Sequence, residues 1–311
     1  MKKLLLKSFL FIIPLAMFFA YMEVNLSKIP NSYSFKRECF EQQLDSIEVL
    51  VLGSSQMVHG VNPDFFSMKG FNLSNVSQTL FYDSRITLRY LDRMPKLKYV
   101  LINISYFSFG EQLIDGREAW RDYYYSQYWS IDYPEIEKMD IKKYSKTFLY
   151  TPTRAFGYLL KGFNVNLIEN YDRNGFSKVD AIEKSYGDST GYLRVQTHED
   201  CYREKRVAEN QKYVEELITE LKKRNIIPVI ITPPALETYS KFVNKLKMKR
   251  NSEIVNSICE KYNCLYFDYF SDKRFEQSDF CDNDHLNVVG AEKFSRVIDS
   301  EILRNKQKGN K

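Results

Sequence analysis

The sequence predicts a three-layer α/β/α protein with a mostly parallel central sheet and helices on both faces. Short, almost continuous aliphatic runs recur along the chain and end in turn or polar residues, as buried strands of parallel sheets do. Amphipathic helical segments separate these runs. The 311 residues are 44% hydrophobic and 27% charged, a composition that indicates a globular chain and not a disordered one.

The first 22 residues form the clearest change in composition. They begin with the basic residues Lys2, Lys3 and Lys7. No residue from Ser8 to Met22 is charged, and Leu4 to Leu6 extend the apolar stretch to about 19 residues, enough to span a bilayer. We expect residues 1–22 to be an uncleaved signal anchor, because bulky Phe19 stands directly before Ala20, where a cleavage site needs small residues. A cleaved signal peptide is the alternative, and in both cases the rest of the chain is exported.

Residues 23–45 are expected to form a polar linker, residues 46–305 the α/β domain, and residues 306–311 a basic tail. The predicted strands are Ile47 to Leu52, Phe71 to Leu73, Tyr99 to Ile104, IIPVIITPP from Ile226 and CLYFDYF from Cys264. The predicted helices are a short one in VNPDFF with Asn62 as cap, Thr79 to Arg93, the amphipathic segment between Arg203 and Asn225, Lys241 to Tyr262, and VGAEKFSRVIDSEILRN from Val289. This alternation of strands and helices predicts mostly parallel pairing.

Residues 109–201 lack the strand–helix alternation and are expected to be an insertion in the domain. They contain both tryptophans and the aromatic run REAWRDYYYSQYWSIDY. Exposed aromatic rings are good platforms for stacking on sugars. The alternatives are that this run forms the small core of the insertion, or that it packs on a membrane partner.

Two polar segments are predicted to meet at the carboxyl edge of the sheet, where open α/β sheets bind ligands. Ser54 and Ser55 follow the first strand, and FCDNDHLNVVGAEKFS lies between the last strand and the last helix. In the second segment Asp282 precedes His285 by three residues, which fits a histidine base held by an orienting acid. We therefore expect one of the two hydroxyls to be a nucleophile activated by His285, with Asp284 as the alternative orienting acid.

The remaining histidines and the cysteines give no metal signature. His59 is expected to be structural and not a second base, and no metal is expected at His198. The five cysteines contain no CxxC pair and lie near no histidine cluster, so a zinc site is not expected. No organic cofactor is implied.

These segments resemble the SGNH hydrolase superfamily, also called GDSL-like. GSS stands where that family has Gly-Asp-Ser, so Ser55 matches the nucleophile, and DNDH matches its Asp-x-x-His, which gives Asp282 and His285. HLNVVGA and the TPP after the fourth strand also fit. The resemblance covers most of residues 46–305 apart from the insertion, and it implies a flavodoxin-like fold and a Ser-His-Asp enzyme.

Two blocks of the family are altered in this chain. In NLSNVS, Ser77 takes the place of a glycine whose backbone N–H helps to hold the oxyanion, so the resemblance implies an oxyanion or substrate-binding role for Ser77. The third block, Gly-x-Asn-Asp, corresponds to SYFS, and Asn103 lies earlier, inside the strand. One oxyanion donor is therefore expected to be lost. This departure is typical of transferase-like branches, such as the D-alanyl-transfer protein of the teichoic-acid pathway and exported proteins that acetylate alginate.

The resulting expectation is extracytoplasmic, serine-dependent acyl transfer, such as O-acetylation of a cell-surface glycan in a bacterial-type envelope. A membrane-bound O-acyltransferase is the expected partner by the same resemblance. The alternatives are an ester hydrolase such as a carbohydrate deacetylase, and a catalytically degraded binding or assembly subunit of a glycan pathway. A nucleic-acid partner is not expected, because three of the net +5 charges come from the N-terminal lysines and no basic face is evident beyond the tail RNKQKGNK.

Overall fold

A computed structural model describes residues 2–180 and 186–309, without the side chains of residues 2–8 and 306–309. Residues 181–185 of the predicted insertion, the end of the predicted tail and the side chains of Lys2, Lys3 and Lys7 therefore lie outside the described part. The chain divides into two compact units. The first contains residues 1–35 and 120–169, and the second contains residues 36–119 and 170–311.

The second unit is built on a parallel sheet of five strands, as the sequence predicts. The strands are β1 (Val49–Val51), β2 (Gly70–Asn72), β3 (Tyr99–Asn103), β4 (Ile227–Thr232) and β5 (Leu265–Asp268). Their order is β2-β1-β3-β4-β5, which is the flavodoxin-like order of a doubly wound sheet. Each observed strand lies within or overlaps its predicted run, so the predicted fold class is confirmed.

Twelve helices with α-helical hydrogen bonding lie in the described residues. They are α1 (Lys2–Lys28), α2 (Ser32–Glu41), α3 (Ser55–Gly60), α4 (Leu80–Tyr90), α5 (Trp120–Tyr124), α6 (Lys146–Leu149), α7 (Pro152–Leu160), α8 (Asp188–Cys201), α9 (Val207–Lys223), α10 (Glu237–Ser240), α11 (Lys245–Tyr262) and α12 (Val288–Gly309). VNPDFF contains a 3-10 turn at Pro63–Phe65, and Asn62 caps it through its side-chain oxygen, as predicted.

Helices cover both faces of the sheet because side chains alternate between the faces along each strand. Val49 and Val51 of β1 and Ile231 of β4 pack in one cluster with Phe294 and Ile298 of α12. Helices α9 and α11 contact β4 and β5, and α4 packs on α9. This arrangement leaves the carboxyl edge of the sheet to the loops that follow β1, β3 and β5.

The segment expected to be a polar linker, residues 23–45, is largely helical. Helix α1 continues past residue 22 to Lys28, and α2 follows after a short break. The physical reason is the spacing of Met22, Leu26 and Ile29, which places three apolar side chains on adjacent turns, where all three are buried. Among the described residues, α1 holds one segment, Phe9–Lys28, that is long and apolar enough to cross a membrane, with a mean hydropathy of 1.8.

Residues 109–201 divide between the two units. Residues 120–169 belong to the first unit, whose core includes Tyr124, Tyr125, Trp129 and Tyr133 of the aromatic run. The run thus forms a core, which is one of the alternatives that the sequence left open. Residues 170–201, including α8, belong to the α/β unit.

Candidate active site

The turn that follows β1 is fixed by the close approach of its backbone to the side chain of Asn103. Gly53 has a φ of +129°, and a Cβ atom there would lie 2.4 Å from the Cβ of Asn103 at the end of β3. Only glycine fits this conformation and this contact. The N–H of Gly53 donates to Asp83 at 3.0 Å, and the turn places Ser55 as the first residue of α3, partly exposed at the carboxyl edge.

Ser55, His285 and Asp282 form a continuous hydrogen-bonded series. The Oγ of Ser55 lies 2.7 Å from Nε2 of His285, and Nδ1 of His285 lies 2.8 Å from Oδ2 of Asp282. The tautomer that donates from Nδ1 to the carboxylate leaves Nε2 free to accept the hydroxyl proton. The other carboxylate oxygen of Asp282 accepts the backbone N–H groups of Asp284 at 3.0 Å and of His285 at 2.8 Å, which fixes the loop.

Asp284, the alternative orienting acid, has different partners. Its Oδ1 is 3.6 Å from Nδ1 of His285, beyond hydrogen-bonding range. The same oxygen accepts a hydrogen bond from Nε of Arg194 at 2.8 Å, and Oδ2 accepts one from Gln56 at 3.2 Å. The carboxylate of Asp284 is fully buried, so these two donors compensate a charge that would otherwise be costly.

Arg194 is the residue that the sequence analysis missed. Its Nη2 lies 3.2 Å from Nε2 of His285, the atom that also faces Ser55. Arg194 lies on α8, which approaches α10 so closely that a Cβ on Gly191 would lie 1.7 Å from the carbonyl oxygen of Thr238. The sequence gives no sign that Arg194 lies beside His285, because Arg194 belongs to no motif and falls in the region predicted to be an insertion.

The charges around His285 act on its proton affinity. Burial lowers the pKa of His285, but Asp284 and then Asp282 raise it by more, and the net pKa lies above the usual 6.5. Burial likewise raises the pKa of Asp284, and Arg194 and His285 outweigh it, so the net pKa lies below the usual range. The pKa of Asp282 is also lowered, with burial opposed by its hydrogen bond to His285. Both carboxyl groups are therefore anionic beside the imidazole.

A chain of buried polar side chains runs from the turn after β1 to Asp284. Oδ1 of Asn103 accepts the N–H of Ser54 at 3.5 Å and its hydroxyl at 3.4 Å, and Nδ2 of Asn103 donates to Ser105 at 2.9 Å. The Ser105 hydroxyl in turn bonds Gln56, whose amide reaches Asp284. An asparagine side chain therefore does lie beside the turn that carries Ser55, although the sequence analysis assigned Asn103 to the strand and not to the site. Its amide donor is engaged by Ser105.

Ser77 lies in the loop after β2 and is partly exposed. Its φ of 58° is in the left-handed region that glycine adopts most readily. Within residues 2–180 and 186–309, its side chain makes no hydrogen bond to Ser55. Its oxyanion role remains a prediction from the resemblance.

The other two histidines have structural partners. Nδ1 of His59 lies 3.0 Å from the carbonyl oxygen of Ser177, and burial followed by the proximity of His285 lowers its pKa to about 4. Nδ1 of His198 lies 2.7 Å from the Tyr239 hydroxyl, and burial followed by Arg194 lowers its pKa to about 3. Both rings are neutral near pH 7 and hold neighbouring segments in place.

The side chains of Asp282, Asp284 and His285 have ligand atoms within 4.8 Å of one another, the one group with metal-binding composition among the described residues. Each of these atoms already has a partner. Asp282 is bonded to His285 and to backbone N–H groups, and Asp284 is bonded to Arg194 and Gln56. A guanidinium next to this group also opposes a cation, so the donor set does not fit a metal.

No protein-family model matches the sequence, and no curated protein matches it. Among solved structures, the chain is similar to a GDSL-like lipase from Bacteroides thetaiotaomicron, with 9% identity over 88% of this chain and 100% of the lipase, and a TM-score of 0.41. It is similar to a psychrotrophic esterase from Pseudoalteromonas sp., with 13% identity over 84% of this chain and 97% of the esterase, and a TM-score of 0.37. It is also similar to an acetyl xylan esterase from Geobacillus stearothermophilus, with 11% identity over 83% and 95% of the two chains and a TM-score of 0.36. At such low identities and TM-scores, these similarities do not assign an activity.

The raised pKa of His285 predicts the pH dependence of Ser55 reactivity. His285 accepts the Ser55 proton only when neutral, so the rate of Ser55 modification by a phosphonate ester should fall as the pH drops through a pKa above 6.5. The rate is measured as a function of pH by intact-protein mass spectrometry. His59→Gln is the matched control. It should show the same fall in rate at low pH, because His59 stays neutral over the pH range of the measurement. A fall in rate with a midpoint at or below pH 6.5 contradicts the claim that Asp284 and Asp282 raise the pKa of His285.

Proposed function

We propose that this protein is a membrane-anchored, extracytoplasmic enzyme of SGNH type that transfers an acyl group, acetyl or similar, to a hydroxyl of a cell-surface glycan. The observation that carries the proposal is the series Ser55–His285–Asp282, with 2.7 Å and 2.8 Å between the successive polar atoms, at the carboxyl edge of a parallel sheet. A hydroxyl, an imidazole and a carboxylate in this order form an activated nucleophile on many unrelated folds.

In the first half-reaction, Oγ of Ser55 attacks the carbonyl carbon of the acyl donor. The new C–O bond forms as the hydroxyl proton passes to Nε2 of His285, and Asp282 stabilises the resulting imidazolium. The carbonyl oxygen becomes an oxyanion. Collapse of this intermediate breaks the bond to the donor's leaving oxygen, which takes the proton from His285 and departs, so that the acyl group stays on Ser55.

Arg194 is proposed to act as a cationic hydrogen-bond donor that stabilises the oxyanion. Its Nε–H donates to Asp284 and its Nη2 lies beside Nε2 of His285, so the planar guanidinium is held next to the reacting atoms. Once His285 is protonated, its Nε2–H and the guanidinium repel each other. A hydrogen bond from Nη2 to the oxyanion beside Ser55 is then more favourable than the contact with His285. Such a charged donor would take the place of the third-block asparagine, whose counterpart here is engaged by Ser105. The N–H groups of Ser55 and Ser77 are the proposed backbone donors.

In the second half-reaction, the acceptor hydroxyl gives its proton to His285 and attacks the acyl-serine, and Ser55 recovers the proton as the new ester leaves. Water in place of the glycan hydroxyl would make the same site an ester hydrolase. The altered third block and the apolar helix α1 favour transfer at a membrane surface. A membrane-bound O-acyltransferase is the proposed supplier of the acyl group.

The test of this proposal is trapping of the acyl-enzyme. An activated ester or a serine-reactive phosphonate should label Ser55 in the full chain, with the site identified by peptide mass spectrometry. Ser55→Ala should abolish labelling and His285→Ala should nearly abolish it. Ser54→Ala is the matched control, since the adjacent hydroxyl faces Asn103 and not His285, and it should still be labelled. Labelling that persists in Ser55→Ala would show that Ser55 is not the nucleophile.

Turnover in the same samples separates transfer from hydrolysis. A transferase should hydrolyse small esters slowly, because fast deacylation by water would discharge the acyl-serine before the glycan arrives. Labelling of Ser55 with slow release is the expected result. Rapid turnover of simple acetyl esters would identify a hydrolase, and the absence of any labelling would identify a binding subunit.

Arg194 has its own test. Removing one oxyanion donor costs about 100- to 1000-fold in rate, and Arg194→Gln should slow Ser55 labelling to that extent. Because Arg194 lowers the pKa of His285, the fall in the labelling rate at low pH should also occur at a higher pH in this variant. The measurement is the full pH profile of labelling by mass spectrometry.

Arg194→Gln leaves the buried Asp284 carboxylate without its cation, which is destabilising. Arg194→Lys is the matched variant, because it retains a cation beside Asp284 but lacks the planar fork that reaches Asp284 and His285 together. It should be less destabilised than Arg194→Gln and should still label Ser55 more slowly than the wild type. A folded Lys variant that labels Ser55 as fast as the wild type would contradict a role that requires the guanidinium fork.

A further inference from the structure

Three large apolar side chains of the first unit are exposed next to α1. They are Phe148 of α6, and Phe156 and Leu160 of α7, with exposed fractions of 50%, 57% and 72%. We call these three residues the apolar rim. Phe156 and Leu160 are four residues apart and share one side of α7, while Ala155 and Tyr158 of the same helix are buried. Clustered apolar side chains of this size usually mark an interaction site.

The carboxylate of Glu23 fixes the rim to one level of α1. It accepts hydrogen bonds from the Ser145 hydroxyl at 2.7 Å and from the backbone N–H groups of Lys146 at 2.8 Å and Thr147 at 3.0 Å. The Thr147 hydroxyl donates to it as well, at 2.9 Å, so four hydrogen bonds to a single side chain tie the start of α6 to α1. Helix α7 packs against α1 as well.

Ring contacts join the rim to the apolar part of α1. Phe148 stacks on Phe19 with ring centroids 6.0 Å apart and the planes almost parallel. Tyr21 meets Phe163, which follows α7, edge to face at 5.8 Å. Phe19 and Tyr21 lie in the uncharged stretch that the sequence predicts to span a bilayer. Phe148 of the rim thus continues the apolar surface of this stretch, and the contact of Tyr21 with Phe163 places the end of the α7 segment at the same level.

The exposure of α1 changes at Met22. Its large apolar side chains between Phe9 and Tyr21 are exposed in this unit, whereas Met22, Leu26 and Ile29 are buried in it. From Leu4 to Met22 the helix is about 28 Å long, close to the thickness of a bilayer's hydrocarbon core. The bilayer surface therefore falls near Tyr21, at the level of the rim.

We propose that the apolar rim inserts into the phospholipid bilayer, at the leaflet where α1 leaves it. Phe148, Phe156 and Leu160 would lie at the boundary between headgroups and acyl chains, and α7 would act as a short interfacial helix. Lys161, exposed directly after Leu160, can then reach the lipid phosphates. The inference rests on α1 lying in the bilayer and not on the chemistry proposed for Ser55.

The test places a tryptophan in the rim and measures its contact with lipid. The full-length Leu160→Trp variant is reconstituted into vesicles of phosphatidylcholine and phosphatidylglycerol without any other protein. Lipids brominated near the top of their acyl chains should quench this tryptophan, and its emission should shift to the blue. Arg154→Trp is the matched control on the other side of α7, and it should show less loss of fluorescence and emission further to the red. Both positions are exposed, so neither change disturbs the core.

Equal lipid quenching at the two positions would overturn the proposal. So would a Leu160→Trp signal that aqueous acrylamide quenches and brominated lipid does not, because the rim would then be free for a membrane-protein partner. Native Trp120 and Trp129 contribute equally to both variants, so the comparison isolates the introduced residue. Ser55 labelling is measured on the same vesicles. Labelled Ser55 without lipid quenching rejects the rim alone, and lipid quenching without labelling rejects the proposed enzyme alone.

Discussion

The Nε2 atom of His285 is the point on which the proposed chemistry depends, because two donors from distant parts of the chain approach it. The Ser55 hydroxyl is 2.7 Å away and the Arg194 guanidinium 3.2 Å away. A neutral imidazole has one lone pair at this nitrogen, so it can fully satisfy only one of them. Asp284 accepts a hydrogen bond from the Nε–H of Arg194 and so holds the planar guanidinium beside His285. In the proposed mechanism, protonation of His285 by Ser55 ends the contact with Arg194, whose guanidinium then donates to the developing oxyanion.

The same arrangement stabilises buried charge. Asp282 is anchored by backbone N–H groups and Asp284 by Arg194 and Gln56, so neither carboxylate is left uncompensated. Two anions next to His285 raise its pKa, and the adjacent cation opposes them. Removing one partner from such a group costs more than the group contributes as a whole. Substitutions that retain the charge of a residue are therefore more informative about its role in the proposed reaction than substitutions that remove the charge.

The sequence predicted what depends on local periodicity and on chain topology. The five strands followed from aliphatic runs, and the meeting of Ser55 with His285 followed from the rule that parallel strands end at one edge. The helical segment after residue 22 could have been found from the spacing of Met22, Leu26 and Ile29. Arg194 could not, because only the packing of α8 against α10 at Gly191 brings it to the site. The position of the Asn103 side chain under the turn after β1 likewise depends on tertiary contact.

The most direct test of the central claim is a crystal structure of the full-length protein after reaction with a serine-directed phosphonate. Its tetrahedral phosphorus represents the acyl carbon during transfer, and its charged oxygen represents the oxyanion. The account predicts a bond from Oγ of Ser55 to phosphorus, with the charged oxygen about 3 Å from a guanidinium nitrogen of Arg194. An adduct on another residue, or an oxygen turned away from Arg194 with the guanidinium still on His285, would contradict it.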